Sequence, residues 1–188
     1  MNAVLLNGIC LQLGEKFMTD SKLKGLKLLI LDVDGVLTDG SVIYNDKGEE
    51  TKVFGVRDGL GIKLLMEAGV NVCIATGRHS EALHHRCRDL GIVHIFDGLK
   101  DKASILDLIL NRTGVSAEEV AFIGDDLPDI PLMKKVGLAI AVADAHATVL
   151  ENADMVTLAK GGCGAVREVS EMVLKAQGLW ENILGRFL

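Results

Sequence analysis

Leu28-Leu29-Ile30-Leu31-Asp32-Val33-Asp34-Gly35-Val36-Leu37-Thr38 is the stretch on which the fold turns. A short apolar run that closes on acids and a glycine reads as a buried strand feeding a tight, functional turn. The same pattern recurs downstream. Val70–Ala75 runs into Thr76-Gly77-Arg78, Ile92–Phe96 is a further short strand, and Val120–Ile123 runs into Gly124-Asp125-Asp126 with Asp129 close behind. Leu138–Val142 and Met155–Thr157 read as the last strands.

Helical patterns lie between these runs. Asp58 is placed as an N-cap, Leu60, Leu64 and Leu65 share one face, and Gly69 stops the helix. A second helix runs from Ser80 to Leu90 and stops at Gly91. Lys102–Leu110 has apolar residues at helical spacing, Ser116 with Glu119 makes a capping box, and Ala165–Ala176 is the final helix. Alternating strands and helices predict an α/β fold, a doubly wound and mostly parallel sheet. One departure from that rhythm is Ser41–Tyr44 and Glu49–Phe54 around Asn45-Asp46-Lys47-Gly48, which predicts a projecting β-hairpin. No insertion is long enough for a separate cap domain.

The 188 residues, 49% hydrophobic and 24% charged, suit one core burying roughly 70% of the unfolded surface. The expected organisation is an N-terminal arm or short helix over residues 1–24 and a single domain over 25–188. A net charge of −6 and a pI near 5.3 leave no basic footprint for nucleic acid. Apolar runs are too short to span a bilayer. Residues 1–14 are uncharged and rich in aliphatic side chains, but Asn7 and Gln12 interrupt them and they lack a basic leader and a small-residue cleavage site, so a short helix or docking arm is favoured over an export signal and the expected location is cytoplasmic. Cys10, Cys73, Cys87 and Cys163 have neither zinc-like nor disulfide-like spacing.

In an open parallel sheet the ligand crevice lies beyond the carboxyl ends of the strands. Those ends carry Asp32 and Asp34, then Thr76, Gly77 and Arg78, then Asp125, Asp126 and Asp129, with Lys102 ahead of a helix. Converging carboxylates repel, and oxygen-only donors suit Mg2+ as the neutralising ion.

This ordered set resembles the haloacid dehalogenase superfamily, whose motifs are Asp-x-Asp-Gly, a Thr or Ser after a later strand, a Lys, and Gly-Asp-Asp-x-x-Asp. The Asp-x-Asp form resembles its phosphatases. The resemblance implies Asp32 as nucleophile, Asp34 as general acid and base, and Thr76 and Lys102 as further catalytic residues. It implies Mg2+ held by Asp32, the Asp34 carbonyl and Asp125, with Asp126 and Asp129 behind the ion.

Asp32 to Gly40, Phe54 to Gly59, Ala75 to Arg78, Ala141 to His146 and Gly164 to Glu168 are also similar to the capless branch that dephosphorylates 3-deoxy-D-manno-octulosonate 8-phosphate for lipopolysaccharide synthesis. That branch implies a phosphorylated sugar acid as substrate. It implies contacts from Asp34, Gly55, Val56, Arg57, Asp58, Gly59, Lys63, Gly77, Arg78, Arg86 and Lys102, and a homotetramer whose hairpins roof the sites. Cys163 departs from that branch, where a basic or polar residue is common. A phosphatase for 2-keto-3-deoxynononate 9-phosphate is the enzymatic alternative, although relatives of that kind tend to carry Glu where Arg78 stands. A phosphoaspartate receiver domain is a non-enzymatic alternative, but it carries its phosphorylated Asp on the third strand. A catalytically silent scaffold is the other, and the complete motif set opposes it.

Overall fold

The computed structural model describes residues 20–188, so the expected arm lies outside the described residues except for 20–24. These five are helical, and Leu23 within them is part of the core. The strands are β1 (Leu28–Leu31), β2 (Ile43–Tyr44), β3 (Glu50–Thr51), β4 (Asn71–Ala75), β5 (His94–Phe96), β6 (Val120–Gly124), β7 (Leu138–Ala141) and β8 (Met155–Val156). Six of them form one sheet in the order β5-β4-β1-β6-β7-β8, and every pairing in it is parallel. The chain builds outward from β1 through β4 and β5, then returns to β1's other side for β6 to β8. That reversal is the topological switch point at which α/β sheets open a ligand crevice.

Register fixes what meets in the crevice. Leu31 lies level with Ile74 on one side and Ile123 on the other. Residues leaving β1, β4 and β6 therefore emerge together at one edge. All four β1 side chains are fully buried, as an aliphatic run covered on both faces requires.

The helices are α1 (Val56–Glu67), α2 (Glu81–Leu90), α3 (Leu106–Thr113), α4 (Ile130–Met133), α5 (Ala147–Asn152), α6 (Ala165–Ala176) and α7 (Trp180–Leu184). α2 ends on Gly91, whose φ of 81° is left-handed. The helix expected over Lys102–Leu110 divides instead into a 3-10 turn, Lys102–Ile105, followed by α3. Asp101 caps that turn by accepting from the Ala103 N–H at 2.9 Å, which aims Lys102 into the crevice rather than along a helix.

Asp58 also differs from its expected role. Gly55 caps α1, and Asp58 lies in its first turn, 1% exposed. Its carboxylate accepts from the Gly164 N–H at 3.2 Å and the Arg167 N–H at 2.8 Å. It therefore caps α6, more than a hundred residues away, where anionic oxygen also favours the helix dipole. Asp58→Ala is expected to destabilise the protein by about 1–2 kcal/mol. A urea midpoint equal to wild type would contradict that role.

The hairpin is shorter than expected. Asn45 closes its turn by accepting from the Lys47 and Glu49 N–H groups, and β2 and β3 form a separate two-stranded sheet. Val42, Tyr44 and Val53 are 45%, 58% and 67% exposed, so the described residues leave these apolar side chains of the hairpin uncovered.

Candidate active site

β1 delivers Asp32 into the crevice at 5% exposure, with its N–H bonded to the Ile123 carbonyl at 3.1 Å. β6 delivers Asp125 opposite. Between them Gly35 holds φ 86°, and a Cβ there would stand 2.0 Å from Asp125 Oδ2. Only glycine allows both the left-handed turn and so close an approach of the two loops.

Lys102 Nζ lies 2.8 Å from Asp32 Oδ1 and 2.5 Å from Asp129 Oδ1. Asp129, fully buried, spends its other oxygen on the N–H groups of Asp125 and Asp126 at 2.9 and 3.1 Å. It thus fixes the loop that presents Asp125. Gly124 makes this possible, since a Cβ there would fall 2.6 Å from Asp129 Oδ2.

Burial pushes the Asp32 carboxyl up to about 6, opposed by the Lys102 charge and reinforced by that of Asp129. Asp125 is pushed up to about 8 by burial and by the charges of Asp32 and Asp129. For Lys102, desolvation is outweighed by Asp32 and Asp129, and its pKa is raised. One ammonium is thus shared among several acids, and the excess negative charge is concentrated at Asp32 and Asp125.

The donor set fits Mg2+. Asp32 Oδ1, Asp34 Oδ2 and Asp125 Oδ1 are buried without a hydrogen-bond partner. The Asp32 oxygen is within ion-pair reach of Lys102 but lacks hydrogen-bond geometry. Oxygens of Asp32, Asp125 and Asp129 lie within 4.8 Å of one another. Because Asp129 is already engaged by Lys102 and two backbone N–H groups, and the Asp34 carboxylate by Lys52 and Arg78, the side-chain oxygens left for an ion are those of Asp32 and Asp125. Buried carboxylate oxygens without partners are costly unless a cation meets them.

Residues 89–168 match the haloacid dehalogenase-like hydrolase family. Over 166 residues, 88% of each chain, the protein is 46% identical to 3-deoxy-D-manno-octulosonate 8-phosphate phosphatase of Salmonella typhi. The chain belongs to this phosphatase family of haloacid dehalogenase-like hydrolases. Its fold matches that of the Yersinia pestis phosphatase with a TM-score of 0.86 and 45% identity, over 87% of this chain and 89% of that one. It also matches the Moraxella catarrhalis phosphatase, solved with magnesium ion, phosphate ion and KDO, with a TM-score of 0.88 and 41% identity, over 90% and 97% of the two chains.

In this haloacid dehalogenase-like hydrolase, Asp32, Asp34, Thr76, Gly77, Arg78, Lys102, Asp125, Asp126 and Asp129 share one cavity of about 310 Å³. Thr76 is buried and held by two backbone bonds, its N–H to the Phe96 carbonyl at 2.9 Å and its carbonyl from the Leu99 N–H at 3.1 Å. The hairpin closes over the rim. Arg78 bonds Glu50 at 2.7 Å and the Tyr44 hydroxyl at 3.0 Å, and its Nε lies 3.5 Å from Asp34 Oδ2.

Lys52 was not singled out by sequence reasoning. Its side chain is 2% exposed and its ammonium pairs with Asp34 and, at 3.4 Å, with Glu50. The signal was the two-residue period of a strand: Glu50 and Lys52 point to one side, toward Arg78 and Asp34.

The remaining expected substrate contacts lie elsewhere. Gly55, Val56, Arg57 and Asp58 line a separate cavity of about 320 Å³ with Gly162, Cys163 and Gly164. Gly59 is buried beneath Arg86, whose guanidinium donates to the Gly55 carbonyl at 3.2 Å. Lys63 is exposed on α1. Within one chain these residues are not gathered around Asp32.

Proposed function

We propose that this protein hydrolyses 3-deoxy-D-manno-octulosonate 8-phosphate to the free sugar acid and phosphate, a step in lipopolysaccharide sugar synthesis. The observation that carries the chemistry is Asp32, buried at the switch point with an unpartnered oxygen beside Lys102 and Asp125. The identity to octulosonate 8-phosphate phosphatases over most of the chain supports the substrate.

Asp32 attacks phosphorus, and the bond from phosphorus to the sugar oxygen breaks as Asp34 gives that oxygen a proton. Asp34 then takes a proton from water, whose oxygen attacks the aspartyl phosphate and restores Asp32. Thr76 and Lys102 donate to the phosphoryl oxygens, with the Gly77 N–H beside them. Asp32, the Asp34 carbonyl and Asp125 would hold Mg2+, which would supply charge neutralisation between the anionic nucleophile and the anionic phosphate. Arg78, which lines the cavity and is partly exposed, is the cation placed to meet a second anionic group of the substrate. Arg57, Lys63 and Arg86 remain outside this contact set within one chain.

A homotetramer gives the hairpin its cover. Two short strands with exposed Val42, Tyr44 and Val53 are marginal alone, and neighbouring copies would bury them and roof the cavity. Residues 25–188 act as one phosphatase domain, and no helix among the described residues is long and apolar enough to cross a membrane. The cytoplasm, where sugar phosphates are made and used, is the proposed location.

Phosphate release from the octulosonate ester is expected to exceed that from 2-keto-3-deoxynononate 9-phosphate and from glycerol phosphate, and light scattering should return four chains. Preference for the nononate ester would overturn the substrate, while no phosphatase activity on any ester would overturn the chemistry. Excess EDTA should stop turnover and Mg2+ restore it. Because Asp32 and Asp125 have raised pKa values, protons compete with the cation at low pH. Mg2+ affinity should therefore rise between about pH 6 and pH 8, with proton release seen by calorimetry. An affinity flat across that range would count against these carboxylates as the ligands.

A further inference from the structure

Beside the catalytic cavity, three other elements bring metal-binding side chains together. His79 comes from the loop after β4, His84 from the first turns of α2, and Asp97 from the residue following β5. His79 Nδ1 lies 2.6 Å and His84 Nε2 2.8 Å from the same oxygen, Asp97 Oδ2. One ligand atom from each of the three residues falls within 4.8 Å of the other two. We propose that His79, His84 and Asp97 form a second cation site, distinct from the aspartate cluster, that takes a divalent first-row transition metal ion such as zinc.

The donor chemistry separates the two sites. Two imidazoles and one carboxylate match zinc and its neighbours, whereas Mg2+ keeps to oxygen. The geometry is near what zinc needs. With bonds of about 2.0–2.1 Å, tetrahedral ligand atoms stand roughly 3.3 Å apart, so each ring must withdraw by about half an ångström. His79, with 64% of its side chain exposed, has room to do so, while His84 and Asp97, at 30% and 19%, form the fixed side of the site.

A supporting carboxylate is also present. On the far side of the His79 ring, Nε2 lies 3.5 Å from Glu81 Oε1. When Nδ1 gives its lone pair to a metal, the ring proton resides on Nε2, facing Glu81, the outer contact that orients zinc-bound histidines. A neutral ring changes tautomer on binding, and a protonated ring releases its proton to solvent. Asp97 is ready as a ligand: burial would raise its pKa, but bonds from His84 and His79 outweigh that and hold it below the usual carboxylate value.

An ion here would fasten the loop carrying Gly77 and Arg78 to the residue after β5. The backbone bonds of Thr76 to Phe96 and Leu99 already join the same two loops. Occupancy would stiffen one wall of the catalytic cavity without entering it.

Zinc titrated into the full chain by calorimetry, with excess Mg2+ present to hold the aspartate cluster, tests the site. One zinc per chain is expected in the wild type, with a rise in Tm as zinc is added. His79→Ala, His84→Ala and Asp97→Asn should each weaken it by at least about 10–100-fold and lose the Tm response. Asp97→Asn preserves side-chain shape and so reports on the site even if a histidine variant folds poorly. Equal zinc affinity in the wild type and all three variants would overturn the proposal, as would a wild type that binds no zinc under these conditions.

Discussion

Asp32→Asn should lower turnover by on the order of 10⁴-fold or more while leaving the protein folded. An amide is a poor nucleophile toward phosphorus and a weaker ligand for a hard cation, so one substitution removes two functions. Folding should survive because the change removes a buried negative charge from a site that holds more acids than cations. The burial of Asp32 among other acids and its carboxyl raised to about 6 both mark charge held at a cost to stability. Circular dichroism and phosphate release measured on the same preparation check the pair of outcomes. Substantial activity in the folded variant would remove Asp32 from the reaction.

Lys102→Met should have the opposite balance, costing stability as well as rate. Lys102 lies between Asp32 at 2.8 Å and Asp129 at 2.5 Å with its side chain 7% exposed. Removing it leaves two buried carboxylates facing each other, and breaking a buried ion pair from one side typically costs about 3–5 kcal/mol. Proton uptake by Asp32 would offset part of that loss near neutral pH, since the Lys102 charge is what opposes its raised pKa. Loss of a donor to the transferring phosphoryl group should lower kcat by about 10²–10³-fold. Urea unfolding in EDTA isolates the stability effect from cation binding. An unchanged midpoint would show that the ammonium does not hold Asp32 and Asp129 together.

The strand ends were legible because their causes are local. An aliphatic run such as Leu28–Leu31 is suited to the middle of a parallel sheet, and the turn after it must carry whatever the crevice displays. The order of Asp32, Thr76, Lys102 and Asp125 along the chain was therefore enough to place them together. What escaped was long-range. Asp58 has the spacing of a local N-cap, yet its partners are the N–H groups of Gly164 and Arg167, which only tertiary packing brings near. Lys52 looks like a hairpin surface charge until the hairpin folds back over Asp34.

The expected substrate contacts divide along the same line. Arg78 follows directly from β4 and reaches the cavity rim. Arg57, Lys63 and Arg86 depend on how α1 and α2 lie, and those helices turn them away from Asp32. In the single chain, Arg86 is committed to the Gly55 carbonyl. The hairpin shows the limit from another direction. Its turn residues announced it, but the described residues leave Val42, Tyr44 and Val53 exposed.

The covalent role of Asp32 is the central claim, and trapping the intermediate tests it most directly. Wild-type protein with Mg2+ and substrate carrying radioactive phosphorus would be quenched in acid during turnover, then digested and analysed by mass spectrometry. The label should appear as one phosphoryl group on the peptide containing Asp32, and should be absent from Asp32→Asn. Label on another residue, or continued turnover with no labelled peptide under conditions that preserve acyl phosphates, would contradict it.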